Sequence, residues 1–149
     1  MKKPGAAGTR TISGTRARIA RVLVVDDEPT VAAVLRVSLS DEFEVAVTSD
    51  PHEALGWLTS GDWYDVVLCD VMMPGLNGLD LRDRVQAQRP DLASRIVFVT
   101  GGLVYEHLRR RLDQVPNMVL AKPFNLTALR EMIRRRTASN PPPGRASKA

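Results

Sequence analysis

Two hydrophobic patterns alternate along the chain. Five short, uninterrupted apolar runs are separated by segments in which apolar residues recur every three or four positions. The short runs are rich in Val, Ile and Leu and predict strands buried on both faces, whereas the spaced segments predict amphipathic helices. The predicted strands cover residues 21–25, 43–47, 65–70, 95–100 and 118–121. The helices that follow them begin, in order, at Pro29, Pro51, Leu79, Leu103 and Leu126.

This alternation of strand and helix predicts an α/β fold. Parallel strands are joined by crossover helices, so five such units predict a doubly wound, five-stranded parallel sheet between two helix layers, a three-layer sandwich. Ligands of such sheets bind at the carboxyl ends of the strands, where the strand order reverses. The functional residues are therefore expected at this edge, which we call the carboxyl edge.

Polar residues follow four of the five predicted strands at the carboxyl edge. The first strand ends in Asp26 and Asp27, the third in Asp70, the fourth in Thr100 and the fifth in Lys122. Three carboxylates in one cleft repel one another and need a cation, and hard oxygen donors favour Mg²⁺. Lys122 can hold a carboxylate or a phosphoryl oxygen as a point charge, and Thr100 can donate a hydroxyl hydrogen bond to the same group.

These residue types together predict a phosphoryl-transfer site, because catalysis of that reaction is mainly positioning and charge neutralisation. A carboxylate can itself be the nucleophile and become an aspartyl phosphate. The sequence contains neither a Walker-type phosphate loop nor a kinase-type glycine-rich loop. ATP binding is therefore not expected, and the phosphoryl group must come from another molecule.

At these positions the sequence resembles the receiver domains of bacterial two-component response regulators, over roughly residues 21–136. Each matching segment is a weak signal alone, but all of them occur in order and at the right strand ends. The segments are the acidic turn 24–29, the acceptor loop 68–75 with Gly78, the pair Thr100-Gly101, and Lys122-Pro123-Phe124, where the family has a cis peptide before the proline.

The resemblance implies a flavodoxin-like fold and a role for each residue of the site. Asp70 is expected to accept the phosphoryl group, with Thr100 and Lys122 as the other catalytic residues. Mg²⁺ is the expected cofactor. Its expected ligands are Asp26 (largely through water), Asp27, Asp70 and the backbone carbonyl of Met72.

The resemblance also implies partners and a pathway class. The protein is expected to be a cytoplasmic phosphoprotein of phosphorelay signal transduction that accepts its phosphoryl group from a histidine kinase or a histidine phosphotransfer protein. It would then signal by contact with an unknown downstream protein, catalysing only its own phosphorylation and dephosphorylation rather than acting as an enzyme. One position departs from the family, which often has Tyr or Phe three residues before the lysine: here it is Val119.

Charge separates the chain into a central domain and two tails. Residues 1–20 contain five Lys and Arg and no acid, and residues 138–149 contain Arg145 and Lys148, no acid and a Pro-rich run. Residues 21–137 contain 14 Lys and Arg against 17 Asp and Glu, so the net charge of +4 comes from the ends. We expect a receiver domain at 21–137, with a basic disordered tail at 1–20 and a Pro-rich disordered tail at 138–149. No apolar stretch approaches the roughly 20 residues that a membrane-spanning helix needs.

Two other functions are compatible with parts of the sequence. A phosphate relay or sink that serves a hybrid histidine kinase would use the same site, and the sequence does not separate it from a signalling receiver. A nucleic-acid-binding protein would use the basic tails, but these lack the interleaved aromatic residues or recognised modules of such proteins, so specific DNA binding is not expected. An Asp-nucleophile phosphatase would need a second acid at the position of Met72.

Other polar or reactive residues are expected to be structural. Cys69 neighbours Asp70 but points to the opposite side of its strand, so it should fill the core. His52 and His107 have no metal-ligand partner at a suitable spacing. The arginine runs at 109–111 and 134–136 are typical of solvated helix faces.

Overall fold

The structure, a computed structural model, describes residues 9–12 and 15–139. Its centre is a five-stranded, all-parallel sheet with the order β4-β3-β5-β6-β7. The strands are β3 (Arg21–Val25), β4 (Glu44–Thr48), β5 (Val66–Asp70), β6 (Ile96–Thr100) and β7 (Val119–Ala121). The helices are α1 (Pro29–Leu39), α2 (Pro51–Leu58), α3 (Gly78–Gln88), α4 (Pro90–Ala93), α5 (Glu106–Gln114) and α6 (Leu126–Ser139). The predicted α/β fold with a parallel sheet between helix layers is confirmed.

Each face of the sheet has its own hydrophobic core, because successive side chains of a strand point to opposite faces. In β3, Leu23 and Val25 pack into one core with residues of α2, α3 and α5. Val22 and Val24 pack into the other core with residues of α1 and α6. Burial on both faces explains why the strands appear in the sequence as continuous apolar runs.

The helix after β6 begins later than the sequence predicts. The expected start is Leu103, but the backbone at Tyr105 is extended and α5 runs from Glu106 to Gln114. Gly102 has a φ of +90°, a left-handed conformation that glycine adopts without a steric penalty. The chain therefore leaves β6 through a glycine-containing loop before the helix forms.

The region before β3 also differs from its prediction. Two short strands, β1 (Thr9–Ile12) and β2 (Thr15–Arg18), form an antiparallel pair within the segment expected to be a disordered tail. At the other end, α6 continues to Ser139, and residues 140–149, with the Pro-rich run, lie outside the described residues. The domain boundaries at 21 and 137 stay predictions. Within the described residues, no helix is both long and apolar enough to cross a membrane.

Candidate functional site

Three acidic side chains meet at the carboxyl edge of the two central strands. β3 is followed directly by Asp26 and Asp27, and its neighbour β5 ends in Asp70. One carboxylate oxygen from each of the three lies within 4.8 Å of the others. Asp26 and Asp70 are buried and Asp27 is half-buried, so the cluster forms a cleft that is only partly open to solvent.

Asp26 is held in place by contacts on both sides of its carboxylate. Its backbone N–H donates to the carbonyl of Thr48 on β4 (3.2 Å). Its Oδ1 accepts the backbone N–H of Glu28 (2.9 Å), and its Oδ2 accepts Nζ of Lys122 (2.9 Å). Both oxygens are engaged by protein groups, and each keeps a lone pair that could accept from a water molecule. This arrangement is consistent with the expected water-mediated role.

Lys122 brings the fifth strand into the site. Its Nζ lies 4.0 Å from Oδ2 of Asp70 and 4.0 Å from Oε1 of Glu28. Its backbone N–H donates to the carbonyl of Thr100 (2.7 Å), and the Lys122–Pro123 peptide is cis. Burial alone would lower the pKa of Lys122, but the hydrogen bond to Asp26 and the charge of Asp70 raise it. The side chain is therefore a cation in the middle of the acidic cluster, and Glu28 is a neighbour that sequence reasoning missed.

The crowding of carboxylates is visible at Asp70. Burial and the charges of Asp26 and Asp27 raise the pKa of Asp70 to about 7, while Lys122 acts in the opposite direction. One ammonium group thus compensates three carboxylates only in part. A divalent cation with oxygen ligands fits this cluster, because it would neutralise the repulsion that the protein leaves.

Two glycines allow close packing around these residues. A Cβ on Gly101 would lie 3.0 Å from Cδ of Lys122, and a Cβ on Gly78 would lie 2.4 Å from the backbone carbonyl oxygen of Asp70. The sequence indicates Gly78 as a turn residue, but its close approach to Asp70 follows only from the three-dimensional structure. Both positions therefore keep a side chain out of the space beside the acidic cluster.

The remaining predicted site residues lie at the same edge. Thr100 is the half-buried last residue of β6, and Met72 is half-buried two residues after Asp70. Val119, the position at which the sequence departs from the resemblance, is 41% exposed on the edge strand β7. The catalytic roles of Asp70, Thr100 and Lys122, and the metal-ligand roles of Asp26, Asp27, Asp70 and the Met72 carbonyl, stay predictions.

Residues that the sequence assigned to structural roles are outside the acidic cluster. Cys69 is fully buried in the core on one face of the sheet, and burial raises the pKa of its thiol. His107 is exposed and stacks on Tyr105, with ring centroids 6.0 Å apart. Among the described residues, the group of three or more potential metal ligands is Asp26, Asp27 and Asp70, with no His or Cys.

Comparison with known proteins agrees with this geometry. Residues 22–134 match the family model described as response regulator receiver domain. The transcriptional regulatory protein TcrA of Mycobacterium tuberculosis is 35% identical over 145 residues, which cover 93% of this chain and 53% of TcrA. The chain thus spans about half the length of that relative, and a smaller share of NtrC from Azospirillum brasilense.

Solved structures show the same fold. The response regulator TrrA of Thermotoga maritima, solved in complex with Mg²⁺ and BeF, is 32% identical with a TM-score of 0.65, over 79% of this chain and 99% of that chain. A response regulator receiver domain protein of Clostridium thermocellum is 27% identical with a TM-score of 0.70, over 81% of this chain and 96% of that one.

Proposed function

Because this chain belongs to the response regulator receiver family of two-component systems, we propose that it is a signalling receiver that accepts a phosphoryl group on Asp70. The observation that carries the proposal is the convergence of Asp26, Asp27, Asp70 and Lys122 at one end of the sheet. A carboxylate nucleophile, an acidic pair for a metal ion and a fixed ammonium group are what aspartyl phosphorylation needs.

Each site residue has a distinct part in the reaction. A carboxylate oxygen of Asp70 attacks the phosphorus atom, and the bond from phosphorus to the donor breaks with its electron pair remaining on the donor. Lys122, 4.0 Å from Asp70, can hold one phosphoryl oxygen, and the hydroxyl of Thr100 can donate to another. Asp27, Asp70 and the Met72 carbonyl would hold Mg²⁺, with Asp26 acting through water. The ion would supply positive charge between the carboxylates and the incoming phosphoryl group.

The donor is a histidine kinase or a histidine phosphotransfer protein, and the output is contact with a downstream protein. The chain acts on its own phosphorylation state and is not an enzyme toward other substrates. We place it in the cytoplasm, where the catalytic domains of such kinases act. The solved complex of TrrA with Mg²⁺ and BeF, which stands in for a phosphoryl group, supports the choice of cofactor.

A phosphate relay or sink for a hybrid histidine kinase is the second candidate. It uses the same residues, and Val119 is compatible with it because a relay needs no aromatic side chain on β7. Phosphotransfer profiling separates the two candidates. A relay would pass its phosphoryl group on to a histidine phosphotransfer protein, whereas a terminal receiver or a sink would lose it only by hydrolysis.

The proposal is tested by incubating the purified protein with acetyl phosphate and Mg²⁺ and measuring the intact mass. We expect a mass gain of one phosphoryl group, which EDTA prevents and Asp70→Asn abolishes. Asp113→Asn is the matched control, because Asp113 is an exposed carboxylate on α5. Equal incorporation in Asp70→Asn and wild type would show that Asp70 is not the acceptor.

A further inference from the structure

Helix α5 is held to the domain by few apolar contacts. In this helix, which the structure describes in full, the buried residues are Leu108 and Leu112. The loop before it contains Gly101 and Gly102, and Gly102 has a φ of +90°. A helix with a small apolar face and a glycine-containing connection can change position at low energetic cost.

The first turn of α5 also has space beside it. A cleft of about 410 Å³ separates this turn from the loop that follows Asp70. Met72, Met73 and Pro74 line the cleft on the loop side, and Tyr105, His107 and Leu108 line it on the helix side. Tyr105 is 65% exposed. The first turn can therefore approach the loop after Asp70 without displacing a packed core.

The middle of α5 is tied to α3 by one arginine. Nη1 of Arg111 lies 2.8 Å from Oδ1 of Asp80, and Nη2 lies 3.0 Å from Oδ2 of Asp83. Both carboxylates belong to α3 and lie three residues apart, on neighbouring turns of one helix face. A single guanidinium therefore bridges two carboxylates of another helix, an arrangement suited to its planar fork of donors.

Helix α3 is in turn fixed next to the acidic cluster. Asn77 caps its first turn, with its Oδ1 accepting the backbone N–H of Asp80 (2.9 Å) and its Nδ2 donating to Oδ2 of Asp80 (3.0 Å). The backbone N–H of Gly78 donates to the carbonyl of Val71, the residue after Asp70 (3.0 Å). Arg111 thus connects a loosely packed helix to one that is anchored beside Asp70.

We propose that Arg111, Asp80 and Asp83 form a clasp that keeps α5 against α3 and opposes movement of its first turn toward Asp70. The proposal rests on the proposed function for its signal, since a phosphoryl group on Asp70 would draw Thr100 and the following glycines toward the cleft. The proposal includes that this movement separates Arg111 from α3, so that the clasp shifts the two-state equilibrium toward the resting position. Loss of the clasp should therefore make α5 more mobile and easier to switch.

The clasp itself is tested without any ligand, by amide hydrogen exchange of the full chain. For residues 106–114 we expect exchange about two- to five-fold faster in Arg111→Gln than in wild type, as for loss of a partly exposed ionic network. High salt should speed exchange more in wild type than in Arg111→Gln, because the Arg110–Glu106 pair of the same helix is screened in both and the clasp only in wild type. Arg109→Gln is the matched control, since Arg109 is exposed on the same helix. Equal exchange in Arg111→Gln and Arg109→Gln, or the same salt effect in wild type and Arg111→Gln, would overturn the clasp.

The regulatory part is tested by titrating beryllofluoride with Mg²⁺ and following exchange of the same amides. We expect the half-maximal beryllofluoride concentration to be about two- to five-fold lower in Arg111→Gln than in wild type. The factor is the one by which loss of the clasp shifts the equilibrium away from the resting state. Asp83→Asn, which removes one of the two carboxylates, should give a smaller shift in the same direction. Identical midpoints in wild type and Arg111→Gln would overturn the regulatory role. If beryllofluoride does not bind to wild type at all, the proposed function is contradicted. The ligand-free exchange experiment and its salt dependence then decide whether the clasp exists.

Discussion

At the scale of single residues, the acidic cluster depends on a backbone position that admits no side chain. The N–H of Gly78 bonds to the carbonyl of Val71, which brings the start of α3 against the strand that carries Asp70. A Cβ at this position would lie 2.4 Å from the carbonyl oxygen of Asp70 and 3.1 Å from Cα of Val71. Both atoms belong to the backbone, so the contact cannot be relieved by rotating a side chain.

We expect Gly78→Ala to lower the free energy of unfolding by about 1–3 kcal/mol, as other overpacked sites do. It should also weaken Mg²⁺ binding, because relief of the clash moves the backbone of Asp70. Urea denaturation and calorimetric titration with Mg²⁺ measure the two effects.

Gly56→Ala is the control for this substitution. Gly56 lies inside α2, and a Cβ there would meet nothing within 4 Å beyond the backbone of its own helix. Alanine at this position should therefore raise stability by roughly 0.5–1 kcal/mol. Wild-type stability and Mg²⁺ affinity in Gly78→Ala would contradict the importance of this close approach.

The sequence predicts that the side chains of the candidate site come together, because the carboxyl ends of parallel strands meet at one edge of the sheet. Asp26, Asp27, Asp70 and Lys122 follow directly from apolar runs, and they meet because the strands pair in parallel in the order β4-β3-β5-β6-β7. The contact of Gly78 with Asp70, and that of Glu28 with Lys122, depend on loop conformation. Periodicity carries no information on loop conformation, so neither contact could be predicted.

At the scale of elements, β2 is attached to the sheet by a buried ion pair. Nη1 and Nη2 of Arg18 donate to the two carboxylate oxygens of Asp65 at 2.8 and 2.7 Å. Asp65 is fully buried just before β5, and it also accepts the backbone N–H of Arg21 and Nε1 of Trp63. Burial alone would raise the pKa of Asp65, but the hydrogen bonds from Arg18, Arg21 and Trp63 hold it below the usual value of 3.8.

We expect Arg18→Ala to lower the free energy of unfolding by about 3 kcal/mol at neutral pH, because it leaves a buried carboxylate without its counter-ion. Since the pKa of Asp65 is lower in the folded state, the pair contributes fully above about pH 4 and is lost as the pH falls through the folded pKa. The difference in the free energy of unfolding between wild type and Arg18→Ala should therefore become smaller in acid. Urea denaturation over a pH series measures it.

Arg84→Ala serves as the control, because Arg84 is exposed on α3 and its loss should change stability by no more than about 0.5 kcal/mol. An Arg18→Ala protein as stable as this control would show that the ion pair contributes nothing. A difference that stays constant through acid would point to packing by Arg18 rather than to its charge.

Elements outside the repeating pattern are the ones that the sequence did not predict. Residues 9–18 are Thr- and Arg-rich without apolar alternation, and the attachment of Arg18 to Asp65 spans 47 positions. The four-residue helix α4 is too short to show a helical period. In α5, the apolar spacing extends to Leu103, but the extended backbone at Tyr105 delays the first helical turn.

At the scale of the whole molecule, the excess basic charge and the candidate site belong to different segments of the sequence. The residues proposed to carry out phosphoryl transfer belong to the acidic central region, while seven basic residues and no acid occur in 1–20 and 138–149. The basic charge of these terminal segments attracts polyanions such as DNA, and this attraction does not depend on the base sequence. The basic segments should therefore affect non-specific retention and leave the reaction at Asp70 unchanged.

A fragment of residues 18–139, which keeps Arg18, tests this separation. We expect it to accept phosphate from acetyl phosphate at the rate of the full chain. We expect the full chain to bind DNA weakly and in a salt-sensitive way, and the fragment to lose this binding, measured by fluorescence anisotropy with two duplexes of unrelated sequence. Tight binding of the full chain to one duplex over the other would contradict the absence of specific DNA recognition.

The proposed function requires that Asp70, among the three clustered carboxylates, carries the phosphoryl group. An acyl phosphate is reduced by borohydride to an alcohol, which converts a phosphorylated aspartate into homoserine, and peptide mass spectrometry then locates the converted residue. After treatment with acetyl phosphate and Mg²⁺, we predict homoserine at position 70 and unmodified aspartate at 26 and 27. Homoserine at 26 or 27, or conversion at no position in a protein that binds Mg²⁺, would contradict the proposed function.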